Sequence, residues 1–215
     1  MKKCDFILMI LNCKAYKHKS NLQKETWLKE LPTSLPYYHV IGHPDLPSNF
    51  IFDENEHILY VKTSDDYNSL PQKVICAYEA FYKIYDFKYI FKTDDDQNLI
   101  NKHFFSILMN NLINNKEKYN YGGYRNIIEE DRLSEYYKVH ECLPRNILMK
   151  KGMYCSGRFY FLSKSSISNL LQKKEKFSTE FFEDYAIGYH LDEQLKSKYL
   201  YINVGLSFND FIITS

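Results

Sequence analysis

The sequence predicts an α/β protein built as one domain, and three observations carry that expectation. Short runs of strand-forming residues alternate along the chain with longer segments whose apolar residues recur at helical spacing. No internal repeat and no low-complexity linker divides the chain. Its 215 residues suffice for one domain with a substantial core.

The elements follow in order. Residues 5–12 hold an unbroken apolar run, Phe6 to Leu11, and are expected as the first core strand. Met1-Lys2-Lys3 ahead of it faintly resembles a signal sequence, but the apolar run is short, Asp5 interrupts its approach and no small-residue cleavage site follows. No later stretch approaches the length of a membrane span, so the chain is expected to be soluble and cytoplasmic. Residues 12–19 form a polar loop. Ser20 or Asn21 then caps a helix to about Glu30, which Pro32 closes. Tyr37–Gly42 and Ile58–Val61 read as strands, joined by a turn-rich connection over residues 43–55 that contains Pro44 and Pro47. Over residues 73–85, Val74, Ala77, Tyr78, Phe81, Tyr82 and Tyr85 share a helical face.

A buried strand follows from Phe87, and it ends in Lys92-Thr93-Asp94-Asp95-Asp96. Asn101 is expected to cap a helix carrying Phe104, Phe105, Ile107, Leu108 and Leu112. Residues 121–124 read as a strand with a Gly pair. Residues 125–151 show no clean period and are expected as loops or a hairpin facing the substrate. Residues 152–162 hold a turn and then a strand. Ser163 caps a helix to about Lys174, residues 183–195 form another, and residues 199–204 a last strand.

Composition narrows the function. A net charge of +1 gives no electrostatic case for nucleic acid. The five cysteines are scattered without a Cys-x-x-Cys pair, which argues against a zinc cluster and for reduced thiols. The sequence gives no sign of an oligomeric state. Aromatic residues make up 17% of the chain, enough that some of its many tyrosines are expected to line pockets.

The acid-tipped strand is the chemical signal. Three adjacent aspartates repel one another, so a core strand gains no stability by ending in them. A hard divalent cation, which takes oxygen ligands, reverses that balance. Open α/β sheets also bind their ligands at the carboxyl ends of their strands. The triplet reads either as a metal–diphosphate site or as a solvated acidic turn.

Five blocks decide between these. Lys24-Glu25-Thr26-Trp27, Asp65-Asp66-Tyr67-Asn68-Ser69-Leu70-Pro71-Gln72-Lys73, Lys92-Thr93-Asp94-Asp95-Asp96, Tyr154-Cys155-Ser156-Gly157-Arg158-Phe159-Tyr160-Phe161-Leu162-Ser163 and Glu183-Asp184-Tyr185-Ala186-Ile187-Gly188 occur in that order. Together they resemble the motifs of the inverting β-1,3-glycosyltransferase family, which includes galactosyl-, N-acetylglucosaminyl- and fringe-type enzymes. The resemblance implies a GT-A fold with a mixed, mostly parallel central sheet flanked by helices. It implies a single domain over residues 1–215, with a nucleotide-binding half to about residue 100 and an acceptor-binding half after it. It also implies a UDP-sugar donor, a glycan or glycoconjugate acceptor, and manganese or magnesium. A non-catalytic UDP-sugar- or glycan-binding protein on the same scaffold is the alternative.

Carried over residue by residue, the resemblance puts the metal on Asp96, with Asp94 either a second ligand or a turn residue. Asp94 and Asp95 would hold ribose, donor sugar or metal-bound water. The resemblance makes Asp184 the base that takes the acceptor proton, and Glu183 its rival. Both stand where a helix begins, and the helix dipole favours an ionised carboxylate there. Lys24 and Lys73 are candidates to neutralise diphosphate charge. Asn12 and Cys13 are candidates for uracil contact. Tyr154, Cys155, Ser156 and Gly157 are expected as a tight loop near the donor sugar. Arg158, where the family often has Gly, either clamps a phosphate or acidic sugar or projects into solvent. The family's late metal-binding His is missing; His190 lies six residues after Asp184 and off its face. Phe208-Asn209-Asp210 offers a substitute oxygen ligand.

Overall fold

The structure is a computed structural model and describes residues 1–211. Its main strands are β1 (Phe6–Leu11), β2 (Tyr37–Gly42), β3 (Phe50–Asp53), β4 (Ile58–Val61), β5 (Tyr89–Asp94), β6 (Gln97–Leu99), β7 (Tyr121–Ile128), β8 (Gly152–Ser163), β9 (Tyr199–Tyr201) and β10 (Phe208–Asp210). Its main helices are α1 (Lys17–Glu25), α2 (Leu70–Ile84), α3 (Phe104–Asn114), α4 (Lys164–Leu171), α5 (Lys174–Phe177) and α6 (Glu183–His190). Eight strands form one sheet in the order β9-β7-β8-β5-β1-β2-β4-β3. The pairs β5–β1, β1–β2, β2–β4 and β9–β7 are parallel; β7–β8, β8–β5 and β4–β3 are antiparallel. The sheet is therefore mixed and mostly parallel, as expected.

The unbroken apolar reading of β1 has a direct cause: both faces of the sheet are covered. Ile7, Met9 and Leu11 point into a core shared with α2, α4 and α6. Phe6, Leu8 and Ile10 point into a second core with Trp27, α3 and Phe208. The same parity runs through β5, where Ile90 faces the first core and Phe91 the second. It sends Lys92 and Asp94 to the side of α2 and α6.

Several expected boundaries move. The first helix starts at Lys17, without a side-chain cap from Ser20 or Asn21, and ends at Glu25; residues 28–30 are a separate 3₁₀ turn. The 43–55 connection contains β3, an antiparallel edge strand whose apolar Ile51 faces solvent and so hides the alternation. The Asn101 carbonyl side chain accepts from the His103 N–H (3.1 Å), so it caps a turn before α3 rather than α3 itself. Residues 125–128 extend β7, and the rest of the unreadable stretch includes a two-stranded pairing of Arg132–Leu133 with Leu148–Met149. Residues 152–163 are one strand, not a turn and a strand. Ser163 does cap α4, accepting from Ser166 N–H. The last long helix breaks at Leu191, and α6 ends at His190. The strand expected over residues 199–204 stops at Tyr201, and Val204 lies in a 3₁₀ turn. Among the described residues no helix is long and apolar enough to cross a membrane.

Candidate active site

The parallel strands β1, β2, β4 and β5 end on one side of the molecule, and the polar residues that follow them converge there. Leu11 registers with Asp94, so Asn12 stands beside the aspartate triplet. The buried Asn12 amide donates to Asp95 Oδ2 (2.9 Å), and Lys19 pairs with Asp95 Oδ1 (3.4 Å). Burial pushes the Asp95 carboxyl up to about 6 against the pull of Lys19, and the neighbouring Asp94 and Asp96 add to the rise. Beneath them Lys73 is fully buried, bonded to Asp65 (2.6 Å) and to the Asn12 carbonyl (3.0 Å). It supports the strand ends from below and presents no free ammonium to a ligand.

The turn after β5 is held by its backbone. Gln23 Nε2 donates to the carbonyls of Asp94 and Gln97 (3.0 Å each), and Trp27 Nε1 donates to the same Gln97 carbonyl (3.0 Å). Gln23 Oε1 in turn meets His39 Nε2 at 3.0 Å. Burial, with Lys24 and His57 nearby, pushes His39 down to about 3. A folded-state value below that of the unfolded chain means the unfolded state binds the extra proton. The stabilisation is complete above about pH 6.5 and drains away as pH falls towards 3. His39 is expected to cost the fold about 2 kcal/mol at pH 5 relative to pH 7.5. His39→Gln keeps an N–H donor but cannot titrate, so its denaturant midpoints should fall less over that interval. Parallel pH profiles for the two proteins would remove His39 from the account.

Across from the triplet, α6 packs directly on β8. A Cβ on Gly188 would lie 2.4 Å from the Met153 carbonyl oxygen and 2.5 Å from Tyr154 Cβ, so only glycine permits this approach. The packing delivers Glu183 and Asp184 to the carboxyl end of β5 and the middle of β8. Glu183 is buried with both oxygens engaged, Oε1 by Lys92 (2.6 Å) and Oε2 by the Tyr160 hydroxyl (2.9 Å). Lys92 also pairs with Asp94 Oδ1 (2.8 Å). Burial works against its charge, but Asp94 and Glu183 outweigh it and hold the ammonium well above the ordinary lysine value. Asp94 is itself pushed up to about 6 by burial, with Lys92 opposing. Asp184 is half-buried and differently held: Oδ2 accepts from Gly157 N–H (3.0 Å) and Oδ1 from Tyr185 N–H (2.7 Å). Burial raises this carboxyl too, while Lys92 and the two peptide donors restrain the rise. Each oxygen keeps a second lone pair for an incoming donor.

The third part is the C-terminal strand. β10 pairs antiparallel with β6, which sets Asp210 opposite Gln97. The Gln97 amide nitrogen donates to both Asp96 Oδ1 and Asp210 Oδ1, each at 2.8 Å. One nitrogen thus holds two carboxylates close together at the lip of the site. Arg158 closes the arrangement, donating to the Phe208 carbonyl (3.2 Å) and pairing with Asp210 (2.9 Å). Its guanidinium grips the C-terminal strand, rather than projecting freely into solvent. Among the described residues no group of three or more His, Cys, Asp or Glu is arranged as a metal cage. The Asp96–Asp210 pair nevertheless fits a magnesium- or manganese-like ion, which uses one or two carboxylates and completes its shell with water and substrate phosphate.

Other expected residues fall elsewhere. The ammonium of Lys24 donates to the carbonyl of Glu56 (2.7 Å), before β4 and so at the opposite end of the strands from the triplet. Cys155 is buried, and its N–H donates to the Tyr121 hydroxyl (2.7 Å). Tyr154 packs edge-on against Tyr185. Residues 154–157 form an irregular part of β8 and not a loop; the β7–β8 register shifts between Cys155 and Tyr160. Cys13 and Ser156 are half-buried near these strand ends. His190 bonds Glu180 (2.8 Å), away from the triplet. Lys19, Gln23 and Gln97 were not singled out from sequence, and Lys92 and Tyr160 entered only within the motif blocks, with no role assigned. Lys92 also stands out as a cation late in a buried strand.

The family model described as Galactosyltransferase matches residues 19–198. No curated protein matches the chain. Among solved structures, it is similar to a glycosyltransferase involved in glycosylation of the major capsid of PBCV-1, at 12% identity and a TM-score of 0.48, covering 94% of this chain and 82% of that one. It is also similar to the galactosyltransferase LgtC in complex with donor and acceptor sugar analogues, at 10% identity and TM-score 0.48, over 93% of this chain and 73% of that one. A third is the glycosyltransferase GlyE of Streptococcus pneumoniae TIGR4, at 10% identity and TM-score 0.47, over 95% of this chain but 46% of that one.

Proposed function

The chain belongs to the galactosyltransferase family and is a glycosyltransferase, and from that premise we propose that it transfers a sugar from a UDP-sugar to a glycan hydroxyl with inversion at the anomeric carbon, forming a β-1,3 linkage. Residues to about 100 bind the nucleotide and the remainder forms the acceptor half of one domain. The observation that carries the reading is the opposition of two acidic groups of different character. The Asp94–Asp96 triplet ends a central strand, and Asp184 faces it from the first turn of α6, both tied to Lys92 or to the peptide Lys92 holds.

Asp184 is the general base. Its oxygens are aimed by two peptide N–H groups, and it takes the acceptor hydroxyl proton as that oxygen bonds to the anomeric carbon. The bond from the anomeric carbon to the diphosphate breaks in the same displacement, and its electron pair leaves with UDP. Glu183 has both oxygens committed and supports the site without serving as base. Asn12, Lys19 and Asp95 form a polar floor for the nucleoside. Asp96 and Asp210 would hold a divalent cation, which when bound supplies Lewis-acid stabilisation to the departing diphosphate.

Thermal unfolding with UDP, with and without manganese, tests the nucleotide and metal parts. At a hundredfold excess over the dissociation constant the wild type should gain about 5–10 °C in manganese and much less without it. Asp96→Ala should lose the manganese-dependent part, and Asp210→Asn should weaken it. Equal shifts in wild type and Asp96→Ala would defeat the metal assignment. A protein that binds UDP in this way but releases none from any UDP-sugar would be the binding-only alternative.

A further inference from the structure

The irregularity in β8 leaves Gly157 without ladder partners. Pairing with β7 is interrupted between Cys155 and Tyr160, and pairing with β5 begins only at Phe159. A peptide group at such a break must find its hydrogen bonds elsewhere. At Gly157 two charged side chains supply them. Its carbonyl accepts from Lys92 Nζ (2.7 Å), and its N–H donates to Asp184 Oδ2 (3.0 Å). A Cβ here would sit 3.4 Å from Lys92 Nζ and 3.5 Å from Asp184 Oδ2 and from Glu183 Oε1, so the glycine stands at the centre of the charged cluster.

We propose that Lys92 is a positioning residue: it sets the Gly157 peptide, and through that peptide the orientation of Asp184. The inference rests on the reading of Asp184 as the base. Lys92 is suited to the task because three elements meet on one buried ammonium, which is 1% exposed. It bonds Asp94 at the end of β5, Gly157 in β8 and Glu183 in the first turn of α6. The Tyr160 ring lies 5.3 Å away and closes a further side. A lysine that served only to neutralise Glu183 would not also bond the peptide on which Asp184 hangs.

The test separates those two roles. Lys92→Met alone strands the Glu183 and Asp94 charges and risks unfolding. The informative protein therefore carries Lys92→Met on a background of Glu183→Gln and Asp94→Asn, and is compared with that background. Neutralisation as the sole role predicts equal activity in the two. Positioning predicts a kcat about 100-fold lower in the Lys92→Met protein, with the donor KM within about threefold of the background. A second readout needs no turnover. Amide hydrogen exchange followed by NMR should show Gly157 exchanging roughly tenfold faster in the Lys92→Met protein than in the background, with Tyr160 unchanged. Equal kcat, or unchanged Gly157 exchange, overturns the proposal. Should wild type transfer sugar from no UDP donor, the catalytic reading fails, and the Gly157 exchange rate alone then decides whether Lys92 sets that peptide.

Discussion

Asp184→Asn is expected to lower the rate of UDP release from the donor about 10²–10⁴-fold, the usual contribution of a positioned general base. The side chain keeps its size but loses its proton affinity. It also loses half its present support. Both carboxylate oxygens of Asp184 accept peptide N–H groups, from Gly157 and from Tyr185. An amide offers only one acceptor oxygen, so one of those donors would face an NH₂ group. The proposed nucleotide floor of Asn12, Lys19 and Asp95 is untouched, so UDP is expected to stabilise the variant and the wild type alike. Retained UDP binding with lost turnover is the expected pair of results, read by thermal shift and by UDP release. Full activity in Asp184→Asn would move the base elsewhere in the cleft.

Phe208→Ala is expected to cost about 3–5 kcal/mol, as for other buried phenylalanines. Its ring is buried and stacks on Phe159 (5.5 Å), with Phe104 (5.2 Å) and Trp27 (6.4 Å) edge-on. The expected fall in Tm is roughly 6–20 °C for a chain of this size. The variant should also lose manganese-dependent UDP binding, because the same ring anchors β10, which carries Asp210 to Asp96. Asn209→Ala, on the exposed face of β10, should do neither. Denaturant melts and the UDP–manganese titration read the two effects separately. A destabilised Phe208→Ala with wild-type metal dependence would show that Asp210 has no part in holding the ion.

The parts legible in sequence share a physical basis. β1 and the first half of β5 announce themselves because a strand covered on both faces is apolar on both, and few other contexts demand that. α2 is legible because one face of a long helix is buried and repeats at 3.6 residues. β3 was missed because its burial does not follow its polarity: Ile51 is apolar yet exposed, between the half-buried Phe50 and Phe52 on an edge strand. The start of α1 was misplaced because the helix begins without a side-chain cap, so Ser20, which sits inside it, drew the assignment. The helix stops after His190, where Leu191 turns extended and is buried in the first core, with no proline or glycine at the break.

At the site, the chain itself specifies the chemical groups: a triplet of aspartates closing a core strand, a Glu-Asp pair opening a helix, and the motif order that goes with the galactosyltransferase family. These are local patterns, and local patterns survive in one dimension. Which carboxylate is free and which is committed was decided only in three dimensions. Lys92 spends its charge on Glu183 and Asp94, Lys73 is sealed beneath the strands, Lys24 reaches the far end of the sheet, and Arg158 holds the C-terminal strand against Gln97 and Asp96. A charged side chain buried in folding takes whichever partner the fold brings within reach, because leaving it unpaired costs more than any single contact can return. For Lys92 with Glu183 and Arg158 with Asp210 that partner is set by sheet order and register, 91 and 52 residues away in sequence, which no spacing rule spans.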